Sequence, residues 1–217
     1  MLPQDFDPNG VGLKNGNFIG LPFSEEEAAI VLLPVPWDVT VSFAEGTATG
    51  PYNILESSSQ LDLFDADIPE GWKAGIFFKN DGDTWLHRSK ALRPQSQAYI
   101  NFLEAGGAIE DAPEMRLVLQ EINDACLQLN NEVKEKTTEL LKQGKLIGLV
   151  GGDHSTPLGY LEALAEKHPE FSVLQIDAHL DLREAYEGFT YSHASIFFNA
   201  LKIPQINKLV QAGIRDY

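Results

Sequence analysis

The 217-residue sequence predicts an α/β fold built on a doubly wound, mostly parallel sheet. Two observations carry that expectation. Short apolar, β-branched runs alternate with longer segments of helical period, which is the pattern of strand–helix–strand units. Several of the runs also end in Gly or Pro and pass directly into clusters of polar residues, as strands do at the edge where open α/β sheets place their sites.

In chain order, residues 1–27 are rich in Gly, Asn, Asp and Glu and read as an N-terminal arm, with an α/β domain from 28 to 217. "AAIVLLPVP" (Ala28–Pro36) reads as a buried strand closed by prolines, followed by a long loop, "WDVTVSFAEGTATGP". Pro51 is placed for a first helical turn, with Ile54, Leu55 and Leu61 on one face. "WKAGIFF" (Trp72–Phe78) is the next expected strand, and residues 79–112 read as an insertion of turns with at most a short helix.

From Pro113 to Lys142 the spacing predicts a long amphipathic helix, with Met115, Val118, Ile122, Cys126, Leu129 and Val133 as its apolar stripe and Gly144 as its stop. "KLIGLVGGDHS" reads as a strand ending in glycines, and "TPLGYLEALAEKH" as a helix capped by Ser155 or Thr156 with Pro157 at its start. "FSVLQIDAH" is a strand, "SHASIFFNAL" a short helix and "NKLVQAGIR" a strand. No covering helix follows "AGIRDY", so this reading expects the chain to continue.

Composition excludes some partners. With 32 acidic against 16 basic residues the formal charge is −16, which disfavours phosphate backbones and anionic lipid and suits a cationic small-molecule substrate. The start shows no basic segment followed by an apolar one, and the apolar runs are too short to span a bilayer. Together with a single cysteine, Cys126, this reads as a cytoplasmic chain.

The chemistry concentrates in "VLQIDAHLDLREAY". If the strand stays extended through it, Asp177, His179 and Asp181 share one face. The preceding strand ends in "GGDHS", so if the two strands are neighbours His154 arrives at the same edge, with Gly151 and Gly152 allowing the turn. Two imidazoles and two carboxylates suit Mn, Fe, Zn, Co or Ni better than Mg or Ca. Four such ligands fit a two-metal site, with Asp177 the candidate bridge. Asp153 is placed either to orient an imidazole or to cap the following turn.

"GGDHS", "DAHLDLR" and "SHAS" in succession resemble the signatures of the ureohydrolase family of arginases, agmatinases, formimidoylglutamases and guanidine hydrolases. "PVPWDVTVSFAEGTATGP" is similar to that family's early loop and "QAGIRDY" to its later strand, so the likeness runs from about Ile30 onward. The resemblance implies a three-layer arginase-like fold and a homo-oligomer, a trimer or hexamer. It also implies two divalent ions, Mn2+ or Ni2+, and hydrolysis of a guanidinium C–N bond to release urea. By motif, His154 and Asp181 would hold one ion, His179 the other and Asp177 both, while His193 falls where the family has a proton-shuttling histidine. The family's third metal motif, an Asp-x-Asp pair, and its substrate-binding glutamate are expected beyond residue 217. The arm, the insertion and the early loop look most like the guanidine-hydrolase branch, with agmatinase next. A related single-zinc deacetylase and a non-catalytic metal-binding member are the rival readings.

Overall fold

The computed structural model describes residues 6–216. Residues 1–5 of the expected arm, and Tyr217, lie outside the described residues. The described residues form five strands and five α-helices, alternating except where α3 follows α2 directly. In order they are β1 (Ile30–Val35), α1 (Gly50–Ser58), β2 (Ile76–Phe78), α2 (Asp83–Glu104), α3 (Pro113–Lys142), β3 (Leu146–Gly151), α4 (Leu158–Lys167), β4 (Phe171–Ile176), α5 (Ile196–Ala200) and β5 (Ile206–Ala212).

All strand pairings between named strands are parallel, but they form two sheets rather than the single one expected: β2-β1-β3 and β4-β5. Among the described residues β3 and β4 share no ladder, so the neighbouring of the two strands on which the sequence reading of His154 was conditional is not met by direct pairing. The main core fills the space between β1, β3, α2 and α3, around Val31, Leu33, Val35, Ile100, Ile122, Leu129 and Val133. A second core joins α4 and α5 to β4 and β5 through Leu158, Leu161, Ile196, Phe197 and Ile206.

β1 is central and contains Pro34, whose ring has no N–H to donate. The ladder explains why it is tolerated. Leu32 O accepts from Lys79 on the β2 side, whereas Val35 O accepts from Gly152 on the β3 side. By alternation Pro34 faces the β2 side, past the last paired residue Phe78, where the ladder has already ended.

α3 spans the predicted limits, buries Ile122, Cys126, Leu129 and Val133, and gives way to Gly144 at φ +77°, a left-handed position that favours glycine. Three expectations fail. Residues 83–104 form a 22-residue helix instead of turns. Its buried positions, Trp85, Ser89, Leu92, Arg93, Ser96, Tyr99 and Ile100, step at threes and fours, but three of them are polar and Pro94 interrupts the run, which hid the apolar stripe. Ile54 of α1 and Leu61, beyond the helix end, are exposed, and the buried residues of the helix are Pro51 and Ser58. At α4 neither Ser155 nor Thr156 caps the helix; Pro157 stands at the cap position, and the Thr156 hydroxyl donates to Asp153 O at 3.0 Å. From Phe18 onward the arm is packed, with Leu21, Phe23 and Ala28 buried against Trp72, Ile76 and Phe77.

Candidate metal centre

At the carboxyl end of β3 the chain turns immediately. Gly152 N–H donates to Val35 O (3.2 Å) and Asp153 N–H to Trp37 O (2.8 Å). This approach requires glycine, because a Cβ on residue 152 would lie 2.0 Å from Trp37 O. Asp153 Oδ1 accepts Ser155 N–H at 2.8 Å, so of the two roles left open Asp153 caps the turn. Its Oδ2 is buried and unpartnered. The turn presents His154 toward the end of β4.

There, Asp177 N–H donates to Ala212 O (3.0 Å) and continues the β4–β5 ladder by one residue before the chain bends away. Asp177 Oδ1 accepts His179 N–H at 2.8 Å, and Asp181 lies in the left-handed region at φ +54°. The alternating D-x-H-x-D pattern is therefore not one extended face, as the sequence suggested; Asp177 and Asp181 meet because the chain curls between them. Asp181 is also more enclosed than Asp177, with side chains 7% and 21% exposed.

The curl brings His154 Nδ1 to 2.7 Å from Asp181 Oδ2 and 3.1 Å from Asp177 Oδ2. Ligand atoms of these three residues all lie within 4.8 Å of one another. The other oxygen of Asp177, Oδ1, lies 3.3 Å from His179 Nδ1. Asp177 thus faces one histidine with each oxygen. His179 stands outside the tight trio, with its side chain 61% exposed, 4.0 Å from Asp216 Oδ2.

The donor set fits a divalent ion. Two carboxylates converge on one imidazole nitrogen that carries at most one proton, which leaves negative charge that a cation would neutralise. The ionisation of the metal-free groups says the same. Burial alone would lower the His154 pKa, but the hydrogen bond and charge of Asp181, then Asp177 and Asp153, raise it above its ordinary value. Burial would raise Asp177, yet the His179 N–H and the His154 charge, with help from the Gln175 side chain, hold it below the usual carboxylate range.

His193 opens the 3-10 turn leading into α5. Its ring stands edge-on to Tyr186 at 5.9 Å, and its Nδ1 is buried without a hydrogen-bond partner. It lies close enough to Asp153 to oppose the rise that burial imposes on that carboxyl, and it is not among the three residues that cluster. His87 and His168 are exposed, as is Phe43, whereas Trp37 and Trp85 are core residues.

The sequence reading missed what holds the early loop beside the site. Asp38 Oδ2 accepts the N–H groups of Gly46 (2.8 Å) and Ala48 (3.1 Å), and its Oδ1 accepts the Ser89 hydroxyl (3.1 Å). Arg93, buried in α2, donates to Val39 O (3.0 Å) and Val41 O (2.6 Å). Both anchors come from the helix that had been read as turns, so nothing pointed from them to the loop. A groove of about 580 Å³ runs along β3 and ends at His154, with Thr156, Pro157 and Tyr160 along it. A larger cavity, about 950 Å³, lies instead between the arm and residues 59–73, and none of the ligand trio lines it.

A family model described as the arginase family matches residues 28–217. The chain is 31% identical over 193 residues to the N(1)-aminopropylagmatine ureohydrolase of Thermus thermophilus, covering 88% of this chain and 52% of that protein. It is 27% identical over 197 residues to the agmatinase of Bacillus subtilis, covering 88% and 53%. Among solved structures, the agmatine ureohydrolase of Thermoplasma volcanium superposes with a TM-score of 0.61 at 21% identity, covering 90% of this chain and 53% of that one. The proclavaminate amidino hydrolase of Streptomyces clavuligerus gives 0.65 at 22% identity, covering 95% and 58%. The chain spans about half the length of the curated relatives it matches.

Proposed function

This chain belongs to the arginase family, and from that premise we propose that the protein is a metal-dependent hydrolase of guanidinium C–N bonds that releases urea. The observation that carries the reading is the convergence of His154, Asp177 and Asp181 where the ends of β3 and β4 meet. A pair of divalent ions at this position would lower the pKa of a shared water and make a nucleophile available near pH 7. His154 and Asp181 would hold one ion and His179 the other, with Asp177 offering one oxygen to each side. We assign to His193, whose Nδ1 is buried and unpartnered, the proton that the departing nitrogen requires. The surplus of 16 negative charges favours approach of a cationic substrate.

Two substrates follow from two different observations. The early loop resembles that of guanidine hydrolases and favours free guanidine. The names of the curated relatives favour agmatine and its aminopropyl derivative. Mn2+ and Ni2+ are the ions proposed, in a cytoplasmic trimer or hexamer. Urea release from guanidine, agmatine, aminopropylagmatine and arginine, measured on protein loaded once with Mn2+ and once with Ni2+, tests the proposal. Urea from at least one substrate, lost in Asp177→Ala, is expected; no urea from any of them with both metals would overturn it.

A further inference from the structure

We propose that Gln175 and Gln211 form a cross-strand amide pair that positions the backbone between Asp177 and Asp181, and so sets the affinity of the metal centre. This inference rests on the metal-site reading above. The two glutamines are register partners across β4 and β5, directly after the partnered Val173–Leu209 and Leu174–Val210. Val173 and Leu209 pack against the core under α4 and α5, and Gln175, two residues further along the same face, is only 5% exposed. An apolar side chain would continue that layer. Burying a glutamine instead costs side-chain freedom, and further desolvation unless its amide is hydrogen-bonded.

The hydrogen bonds show where those amides are used. Gln175 Nε2 donates to His179 O at 3.0 Å. Gln211 Nε2 donates to Leu180 O at 2.8 Å and also to Gln175 Oε1. The two carbonyls belong to consecutive residues between the two aspartate ligands. On the far side, Asp181 O accepts Phe197 N–H from α5 at 3.0 Å. Asp181 is thus held from both sides in a left-handed conformation that a non-glycine residue leaves readily. With either amide gone, a carbonyl of the loop loses its donor, and the curl that brings Asp181 to His154 is no longer fixed.

Gln175→Met and Gln211→Met keep length and bulk and remove the donor. In the full chain, Mn2+ affinity by calorimetry should weaken by about 10- to 100-fold, the usual effect of removing a group that orients metal ligands. Asn207→Ala, at the other end of β5, should leave the affinity unchanged. A second readout needs no metal: hydrogen exchange of the amides of 178–183 should accelerate in both Met variants, while those of β1 and β3 keep their protection. Each variant is measured well below its own melting midpoint, so that a lowered midpoint alone does not count. Unchanged Mn2+ affinity, or unchanged loop exchange, in both Met variants would overturn the proposal. Wild-type protein that binds no Mn2+ would instead sink the metal-site reading, and the exchange measurement would still decide whether the amide pair fixes the loop.

Discussion

Gly152→Ala places a single methyl group at the tightest backbone contact beside the site. Its Cβ would lie 2.0 Å from Trp37 O, 2.7 Å from Trp37 N and 2.9 Å from Trp37 C, so one segment must retreat by about 1 Å to reach even the 3.0 Å limit that real Cβ contacts respect. Trp37 is fully buried, and Asp38 beside it is hydrogen-bonded to Ser89, so residues 152–154 are the ones that yield. Their retreat breaks the Asp153 N–H bond to Trp37 O. Losing that bond costs about 1 kcal/mol and relieving the overpacking about 1–3 kcal/mol, so we expect about 2–4 kcal/mol of destabilisation. For a chain of this size that lowers the melting midpoint by about 5–15 °C. The same movement carries His154 about 1 Å from its partners, against a tolerance of about 0.2 Å in metal–ligand distance, so Mn2+ affinity should fall at least tenfold. Thermal melting of the metal-free protein and calorimetric titration read the two effects separately. A variant that melts within about 2 °C of wild type and binds Mn2+ equally well would refute the argument.

Other consequences are simpler to state. Arg93→Met leaves Val39 O and Val41 O without their donor and should cost about 3 kcal/mol, read as a lowered thermal midpoint. Burial pushes the Cys126 thiol up to about 12, so a thiol reagent at pH 8 should label nothing in the native protein and one cysteine per chain after denaturation. Because His154 is raised above its ordinary 6.5, metal must displace its proton; Mn2+ affinity should rise with pH through that raised value and then flatten. The metal-free fold shows the opposite trend: the stability His154 contributes is full below pH 6.5 and is lost as pH rises through the folded value, which pH-dependent melting without metal will show.

What could be read from the sequence followed the signals that local chemistry leaves. α3 was legible because Met115, Val118, Ile122, Cys126, Leu129 and Val133 repeat at threes and fours and Gly144 marks the end. The convergence of His154, Asp177 and Asp181 was legible because strand ends bring side chains to a common edge, although the route was misjudged. Asp181 reaches His154 through a left-handed residue and a curl fixed by tertiary hydrogen bonds, which no alternation pattern encodes. α2 was illegible because Ser89, Arg93 and Ser96 sit on its buried face, where their partners are loop carbonyls and a carboxylate far away in the chain. The separation of β3 from β4 was likewise hidden, since two parallel strands of similar composition do not reveal whether they pair. Gln175 and Gln211 did leave a trace: each is the lone polar residue of an apolar stretch, 173–176 and 209–212, two residues before Asp177 and Gly213.

The account stands most directly on whether the ends of β3 and β4 hold a metal. Calorimetric titration of the metal-free chain with Mn2+, repeated on His154→Ala and Asp181→Asn, measures this without reference to any substrate. Saturable binding by the wild-type chain, weakened at least tenfold in each variant, is the expected result. Saturable binding that both variants retain would place the ion elsewhere, and a wild-type chain that binds none would contradict the central claim.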